Sequence, residues 1–429
     1  MRKILAICLI ERYWKKLSTE ITIDQAAYQQ GRSTTEHVQA IKLLCEKAIT
    51  SENYEIHMLM LDMSKAFDTV NRENLLNDLR QILEADELHL FSLLVEDVTL
   101  QVKIGNEIGR NFKTEVGIAQ GDCLSAVLFI YYLSKTLSNN STTSDHNYSK
   151  PSEHLCVPRA ICDHNYGLAD NTFFEIEPKY ADDVTWASTS LIRIEYIKHT
   201  IPDKLKSRDL IINESKTEEY SISKTSNPEW KKCKILGTIL DTEKDINRRK
   251  ILAIDALKCI TDITKSSKIS ESLKIRTFNA YVASIFLYNS ETWTLSLTLQ
   301  NNIDAFQRKL LRQSLNIIWP NKISNVELYN RTKQSPWSII IKRRRLNWLG
   351  HLLRLDPNTP VQKALAEALK PEKKPRGRPR LTWLSLIKQD LAPIVELNLN
   401  TPDKTLEKLG DLAADRVGWR NLVRCAIPQ

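Results

Sequence analysis

The first half of the chain alternates between short apolar runs typical of strands and longer apolar segments typical of helices. Residues 56–61 form a mostly apolar run that ends abruptly at Asp62, which is how a buried strand delivers a carboxylate to its edge. Two further apolar stretches flank the adjacent Asp182 and Asp183, so we expect two strands joined by a tight acidic turn. Between these strands, residues 124–137 are almost wholly apolar, which favours a helix buried against a sheet. This pattern predicts an α+β fold.

Helical or hairpin patterns occupy four other segments. Residues 31–36 (GRSTTE) supply a hydroxyl cap and an acid in the first turn, so a helix is expected to start there and continue to about residue 49. Apolar residues at helical spacing predict one helix over residues 67–83, and residues 95–116 suggest a hairpin around a Gly-Asn turn. Helical periodicity over residues 246–318 predicts a separate all-helical unit.

Positive charge is concentrated in one region. The chain has a net charge of +9. Residues 331–380 contain fourteen Lys and Arg against three Asp and Glu, which leaves +11 for this stretch and −2 for the remainder of the chain. A concentrated basic patch attracts polyanions because binding releases their condensed counterions, so nucleic acid is the natural partner. A solvated helix face with a basic linker is the alternative interpretation.

Composition excludes several classes of protein. Hydrophobic residues make up 42% and charged residues 26%, which is typical of a globular chain and not of a disordered tail or a coiled-coil rod. The longest apolar run near the N-terminus, residues 4–10, is far shorter than the roughly 20 residues of a membrane span. We therefore expect an intracellular protein without a membrane anchor. The basic runs could also serve import into the nucleus.

The eight cysteines form no CxxC pair, which favours reduced thiols over a disulfide framework. One local cluster has residue types that suit zinc, although its spacing matches no common zinc knuckle. Its members are His154, Cys156, Cys162 and His164.

Asp62, Asp182 and Asp183 are the candidate catalytic groups. Adjacent like charges repel unless a cation or a base neutralises them. Hard divalent cations such as Mg²⁺ prefer carboxylate oxygens, and neighbouring strands would bring these three carboxylates together. Two ions about 3.5 to 4 Å apart can activate an attacking hydroxyl and stabilise a leaving phosphate, as in polymerases and nucleases. By itself, an Asp-Asp pair is more often a solvated turn.

The segments that carry these aspartates resemble a known family. They are similar to motifs of reverse transcriptases of LINE-type (non-LTR) retrotransposons, and they occur in the order residues 61–70 (LDMSKAFDTV), 117–125 (GIAQGDCLS) and 180–183 (YADD). Further similar segments are residues 29–34 (QQGRST), 212–218 (INESKTE) and 236–237 (LG). Beyond residue 240, the segments that look like the tail of the same elements are residues 348–354 (WLGHLLR), 376–380 (RGRPR) and 414–420 (ADRVGWR).

The resemblance implies the architecture of a right-hand polymerase. Residues 1–55 would be partial fingers, and residues 56–240 a palm made of an antiparallel sheet with packed helices. Residues 241–330 would form a helical thumb-like region, and residues 331–429 a basic, helical, nucleic-acid-binding C-terminal region. In the family, a fingers segment with basic residues holds the incoming triphosphate and precedes the segment that corresponds to Met1. We find no such segment in this sequence. We therefore expect an N-terminally truncated chain of lowered activity.

The resemblance also implies a role for individual residues. Asp62, Asp182 and Asp183 would bind the two Mg²⁺ ions of the palm, with Mn²⁺ as the alternative ion. Phe67 would crowd a ribose 2′-hydroxyl and so favour deoxynucleotides, and otherwise it is a core residue.

Four further residues would contact the nucleotide or the primer–template. Gln120 and Gly121 would open the loop that meets the nascent base pair, where a residue without Cβ permits close backbone approach. Lys216 would lie near the phosphates and assist the leaving pyrophosphate, or else it is a surface lysine. Gly237 would lie in the primer-gripping hairpin.

The candidate nucleic-acid-binding side chains of the tail are all arginines. Trp337 and Trp348 lie near the first three of them and could stack on bases, although core tryptophans are the alternative. Residues 376–379 are the core of an AT-hook, or equally part of a basic linker. The arginines are Arg343, Arg344, Arg345, Arg376, Arg378 and Arg380.

The sequence therefore predicts an RNA-directed DNA polymerase. It would join deoxynucleotides to a primer 3′-hydroxyl, with an RNA template, a DNA primer or target and deoxynucleoside triphosphates as partners. No protein partner can be inferred. A catalytically inactive, nucleic-acid-binding remnant of such an element is the alternative. A metal-dependent nuclease ranks last, because it would leave Phe67 and the loop at Gln120 unexplained.

Overall fold

The computed structural model describes residues 2–96, 98–138, 173–370, 379–398 and 405–427. Contacts divide the chain into two units, Met1–His37 with Tyr54–Ile222 and Val38–Asn53 with Ser223–Gln429. Within the described ranges, no helix is both long and apolar enough to cross a membrane.

The first unit combines helices with an antiparallel sheet. Its helices are α1 (Arg2–Ser18), the beginning of α2 (Thr34–Thr50), α3 (Arg72–Leu79), α4 (Ala85–Val95), α5 (Cys123–Ser138) and α6 (Leu191–Lys206). Its strands are β1 (Ile56–Leu61), β2 (Met63–Ser64), β3 (Thr99–Leu100), β4 (Lys103–Ile104), β5 (Glu107–Ile108), β6 (Phe112–Lys113), β7 (Glu175–Ile176), β8 (Lys179–Tyr180), β9 (Asp183–Ser188), β10 (Ile211–Ile212) and β11 (Glu218–Ile222). The predicted α+β class is confirmed.

The main sheet has the strand order β11-β1-β9-β7, and β8 also pairs with β9. All of these pairings are antiparallel. Helix α6 packs against β1 and β9, and α5 packs against α6 and α1. Helix α5 is buried on nearly every side, and ten of its fourteen residues from Leu124 to Leu137 are apolar, in line with the predicted buried helix. Burial of each large apolar side chain contributes about 1.5 to 3 kcal/mol, so α5 anchors this core.

One helix prediction was wrong in its boundaries. The segment predicted as one helix over residues 67–83 is helical only from Arg72, because Asn71 caps α3 by accepting a hydrogen bond from the backbone N–H of Asn74. Helix α3 ends at Leu79, and Glu84 and Glu87 form the capping box that starts α4. Phe67 and Val70 therefore lie in the connection after β2, although their spacing fitted the helical face.

The second unit is mostly helical. Its elements after the end of α2 are β12 (Lys234–Ile235), β13 (Thr238–Ile239), α7 (Thr242–Cys259), α8 (Thr261–Lys265), α9 (Glu271–Phe278), α10 (Ser284–Phe286), α11 (Leu297–Ser314), α12 (Asn325–Thr332), α13 (Trp337–Leu352), α14 (Pro360–Leu369), α15 (Trp383–Asn398), α16 (Thr405–Ala414) and α17 (Arg416–Ala426). The helical character predicted for residues 246–318 is confirmed.

The core of this unit continues past residue 330, where the resemblance predicts a domain boundary. Trp337 and Ile341 of α13 belong to the same buried cluster as Ile246 of α7 and Phe286 of α10. The rings of Phe286 and Trp337 stack with centroids 4.3 Å apart. The predicted boundary therefore does not coincide with a break in packing.

Candidate active site

The register of the sheet brings the candidate carboxylates to one end. Leu61, the last residue of β1, pairs with Val184 of β9, so Asp62 follows directly opposite the start of β9. Tyr180 of β8 pairs with Asp183 of β9, which leaves a two-residue turn that contains Asp182. The three aspartates thus come from two adjacent strand ends, as the sequence pattern predicted.

The turn between β8 and β9 is held by a side chain that the sequence analysis did not identify. Ala181 adopts a left-handed backbone conformation with φ of 54°, which is unfavourable for a residue with a Cβ atom. The fully buried Gln25 accepts a hydrogen bond from the N–H of Ala181 at 2.9 Å and donates one to its carbonyl at 3.2 Å. These bonds pair both polar backbone groups of the residue that precedes Asp182.

The backbone on either side of Gln25 follows the same hairpin. The N–H of Ala26 donates to the carbonyl of Lys179 at 2.9 Å, and the N–H of Lys179 donates to the carbonyl of Asp24 at 3.0 Å. Gln25 itself accepts a further bond from the N–H of Ala27 at 3.0 Å. In the sequence, Gln25 is distinguished only as a polar residue in a short, otherwise buried segment, and this is too little to identify its role.

Lys216 lies beside Asp62. The N–H of Asn213 donates to the carbonyl of Asp62 at 2.8 Å and so ties the segment after β10 to the end of β1. A short 3₁₀ turn then places the Nζ of Lys216 3.2 Å from Oδ2 of Asp62. The side chain of Lys216 is 66% exposed, so its ammonium group remains accessible to a solute.

The electrostatics of the site reflect a shortage of positive charge. Burial raises the pKa of Asp183 to about 6, and the neighbouring negative charges of Asp182 and Asp62 add to this effect. The pKa of Asp182 is also raised, first by burial and then by Asp62. Lys216 opposes the shift at both residues. A bound cation would relieve the same repulsion.

The donors fit a hard divalent cation in their chemistry. The three aspartates are all half-buried, so their carboxylates can present oxygen ligands to Mg²⁺ or Mn²⁺. In the part of the chain that is described, however, no three Asp, Glu, His or Cys side chains converge into a ready-made ligand set. Instead, the ammonium group of Lys216 is the cation beside Asp62.

The residues expected to contact the nucleotide lie in the same unit. Phe67 is half-buried, and its ring stacks on Phe129 of α5 with centroids 4.6 Å apart. Gln120 is exposed. Gly121 has φ of 90°, a conformation that favours glycine, and the space around its α-carbon is open. The roles that the resemblance assigned to these residues stay predictions.

The loop that contains Gln120 is anchored by a second residue that sequence reasoning missed. Arg72 donates to the carbonyl of Gly117 at 2.7 Å and to the carbonyl and hydroxyl of Thr114 at 2.5 and 2.7 Å. Gly117 itself has φ of 82°, and a Cβ there would lie 2.6 Å from the carbonyl oxygen of Asp68. Arg72 and Gly117 together fix the start of the loop.

Gly237 belongs to the second unit, where the predicted hairpin is present. Leu236 and Gly237 connect β12 to β13 with φ of 45° and 75°. Arg248 and Arg249 each donate to the carbonyl of Gly237 at 3.0 Å. Contact of this hairpin with a primer stays a prediction.

Arg345, one of the candidate nucleic-acid-binding arginines, is buried, and its contact with nucleic acid stays a prediction. Arg345 is 2% exposed, and its guanidinium group binds Asp390 at 2.7 Å and the carbonyl of Trp293 at 3.2 Å. Trp337 and Trp348 are buried as well, at 1% and 8% exposure, so they do not offer faces to bases.

The other candidate arginines differ from Arg345. Arg344 is exposed and donates to the carbonyl of Leu287 at 2.6 Å, and the half-buried Arg343 donates to the carbonyl of Ile427 at 2.9 Å. Arg380 is exposed. The remaining candidates lie outside the described residues, namely Arg376, Arg378, His154, Cys156, Cys162 and His164.

The comparison with protein families names the class of protein to which this arrangement of carboxylates belongs. Residues 3–240 match the family of reverse transcriptases (RNA-dependent DNA polymerases). The match covers more than half of the chain, and the chain belongs to this family. No curated protein matches it by sequence.

Solved telomerase structures are similar to the chain at low identity. Apo telomerase from Candida tropicalis is 14% identical, with a TM-score of 0.42, over 94% of this chain and 61% of that one. The telomerases of Candida tropicalis and Candida albicans in complex with a fragment of telomeric RNA have 14% and 12% identity and TM-scores of 0.39 and 0.35. These two matches cover 84% and 80% of this chain. The chain spans between 44% and 61% of the length of the telomerase chains that it matches.

Proposed function

We propose that the chain is an RNA-directed DNA polymerase of the non-LTR retrotransposon type. The observation that carries the proposal is the position of Asp62, Asp182 and Asp183 at one end of the sheet, with Lys216 beside them, inside the family-matched residues 3–240. The proposed substrates are an RNA template, a DNA primer or target, and deoxynucleoside triphosphates.

Each residue has a proposed task. Asp62, Asp182 and Asp183 would hold two Mg²⁺ ions, which supply Lewis-acid stabilisation of the reacting phosphate when bound. The exposed ammonium group of Lys216 would move from Asp62 to the negative charge of the leaving pyrophosphate. The half-buried Phe67 would limit the space beside the ribose and select deoxynucleotides.

Primer extension tests this proposal. The purified chain should extend a DNA primer on an RNA template with Mg²⁺ and deoxynucleotides, and Asp182→Asn should abolish extension without changing the urea unfolding curve. Asp203→Asn is the matched control, because Asp203 is an exposed aspartate on α6 that is not among the candidate catalytic residues. Extension by Asp182→Asn at the wild-type rate contradicts the assignment.

A second candidate is a catalytically inactive, nucleic-acid-binding remnant. It is favoured by one observation, namely that the described carboxylates do not converge into a ligand set while Lys216 pairs with Asp62. This candidate predicts no extension by the wild-type chain, together with binding of nucleic acid that depends on salt and needs no Mg²⁺. Extension by the wild-type chain that is lost in Asp182→Asn refutes it.

A further inference from the structure

The last helix of the second unit has two distinct faces. Trp419, Val423 and Ile427, four residues apart, are buried. The indole N–H of Trp419 donates to the carbonyl of Leu346 at 3.0 Å, and α17 packs against α13 along this face. Gly350 permits the close approach, because a Cβ at that position would lie 2.2 Å from the indole nitrogen of Trp419. The orientation of α17 is therefore fixed by packing.

The next face carries three arginines at the same spacing. Arg416, Arg420 and Arg424 are all exposed. At 1.5 Å of rise per residue, four residues place successive arginines about 6 Å apart along the helix axis. Among the residues that the structure describes, none of the three forms an ion pair with an acidic side chain. The nearest acid in sequence, Asp415, caps the helix by accepting a hydrogen bond from the N–H of Val417 at 2.9 Å.

A fourth arginine lies against the beginning of this row. Arg354, just after α13, donates to the carbonyl of Ala413 at 2.7 Å. Its Nε is buried and has no hydrogen-bond partner among the described residues. Burial lowers the pKa of Arg354, and the positive charges of Arg416 and Arg420 lower it further, so these guanidinium groups repel one another. Repelling cations with spare donors are the arrangement that a bound anion stabilises.

We propose that the arginine face of α17, formed by Arg416, Arg420 and Arg424, binds the sugar–phosphate backbone of a nucleic acid together with the neighbouring Arg354. A row of cations along one helix fits a linear polyanion better than a single small anion, because each arginine can meet a different phosphate. The choice of a nucleic acid over other polyanions rests on the proposed function. The site lies outside the basic stretch at residues 331–380 except for Arg354.

Binding measurements with the full-length chain test this inference. The variant combines Arg416→Gln, Arg420→Gln and Arg424→Gln. The matched control combines Lys3→Gln, Lys15→Gln and Lys206→Gln, which removes the same charge from exposed helical positions of the first unit. The probes are a labelled single-stranded RNA and a labelled DNA duplex of equal length, without divalent ions or nucleotides. Unfolding in urea should be the same for both variants and the wild type.

The arginine variant should bind at least one probe about tenfold more weakly at low salt. The slope of log affinity against log salt should fall by about 2 units for the RNA or about 3 for the duplex, since each lost phosphate contact removes about 0.7 or 0.9. The control should stay within about twofold, a margin set by the long-range screening of surface charges. Equal behaviour of the two variants on both probes overturns the inference.

The comparison is independent of catalysis. Because no metal or nucleotide is present, a chain that fails to extend primers can still show the expected loss of binding. A chain that extends primers can equally fail this test. A loss confined to the RNA or to the duplex identifies which strand the arginine face binds.

Discussion

Gln25 and Ala181 are joined by two hydrogen bonds that run in opposite directions through a single side-chain amide. The two residues are 156 positions apart in the chain, and both are buried. The left-handed conformation of Ala181 orients the turn that carries Asp182, so a residue near the N-terminus positions the candidate catalytic carboxylates. Gln25 acts through the turn, since its side chain is hydrogen-bonded to Ala181 and Ala27 and, among the described hydrogen bonds, to none of the three aspartates.

Gln25→Ala should weaken both the fold and the site. It leaves the buried N–H and carbonyl of Ala181 without partners, and each unpaired group costs about 1 to 3 kcal/mol. We expect the free energy of unfolding to fall by about 2 to 4 kcal/mol in urea titrations. The Mg²⁺ concentration for half-maximal primer extension should rise about tenfold at a temperature where the variant is folded, because the carboxylates lose their fixed geometry.

Gln30→Ala is the control for this prediction, since Gln30 is exposed in the same segment. It should change neither quantity. If Gln25→Ala lowered stability but left the Mg²⁺ requirement unchanged, Gln25 would be a structural residue only, and its positioning role would be refuted.

Gly117→Ala should be strongly destabilising. The substitution forces an L-residue to φ of 82° and drives its Cβ to 2.6 Å from a backbone oxygen that cannot rotate away. We expect a loss of about 3 kcal/mol or more in the free energy of unfolding, since strain and overpacking add. Gly121→Ala meets no neighbouring atom, so its cost should be limited to about 1 to 2 kcal/mol of backbone strain.

Gly410→Ala provides the opposite expectation. Gly410 lies within α16, with no positive φ and no atom within 4 Å of the added Cβ. Alanine should therefore stabilise the chain by about 0.5 to 1 kcal/mol, because it restricts the unfolded state and favours the helix. Urea unfolding of the three variants should rank Gly410→Ala above the wild type and Gly117→Ala lowest. Any other position for Gly117→Ala contradicts the packing around Asp68.

Much of the fold and the three aspartates could be predicted because their signals are local. An apolar run that ends at Asp62 and an acidic pair between two strands can be recognised in short windows. The buried helix at residues 123–138 is predictable for the same reason. The wrong helix boundary at residue 67 arose because apolar spacing continues through a turn, and only the cap at Asn71 marks the true start.

Contacts between distant segments could not be predicted in this way. Nothing near Gln25 indicates that its partner is Ala181. Similarly, Arg343, Arg344 and Arg345 are three consecutive residues of the same type, so the sequence does not distinguish them. Their exposure differs because α13 packs with one side against other elements of the unit. The exposed arginines of α17 cannot be recognised as one row from the sequence, because their spacing of four has meaning only once the opposite face is known to be buried.

Acid should destabilise the fold through His37. Burial lowers the pKa of His37 to about 3, and its Nε2 lies 2.9 Å from the hydroxyl of Thr185 on β9. In the unfolded chain the pKa returns to about 6.5, so below that value protons bind the unfolded state more strongly. Stability is therefore fully present above pH 6.5 and is lost as the pH falls toward 3, by about 2 kcal/mol at pH 5.

His37→Gln should remove this contribution. Its free energy of unfolding should change less between pH 7.5 and pH 5 than that of the wild type, by about 2 kcal/mol. His89→Gln is the control, because His89 is exposed on α4. Parallel pH profiles for His37→Gln and the wild type, measured by urea unfolding, would show that His37 is not buried in its neutral form.

The final prediction concerns the buried ion pair of Arg345 and Asp390. Arg345→Met leaves the carboxylate of Asp390 in the core with Lys342, 3.5 Å away, as its remaining cationic partner among the described residues. Breaking one side of a buried pair costs about 3 to 5 kcal/mol, whereas replacing both sides is close to neutral. Adding Asp390→Leu should therefore restore most of the free energy of unfolding lost in Arg345→Met. The exposed Arg344→Met, which removes the same charge, should cost about 1 kcal/mol or less.

The same variants test whether Arg345 stays buried against Asp390 or contacts a nucleic acid. The double variant retains the net charge of the chain, so its salt dependence of RNA binding should equal that of the wild type if Arg345 contacts no phosphate. A slope reduced by about 0.7 in the folded double variant would mean that Arg345 leaves Asp390 to bind RNA. In that case the buried pair would be a resting arrangement that RNA disrupts, and Arg345 would be a nucleic-acid-binding residue.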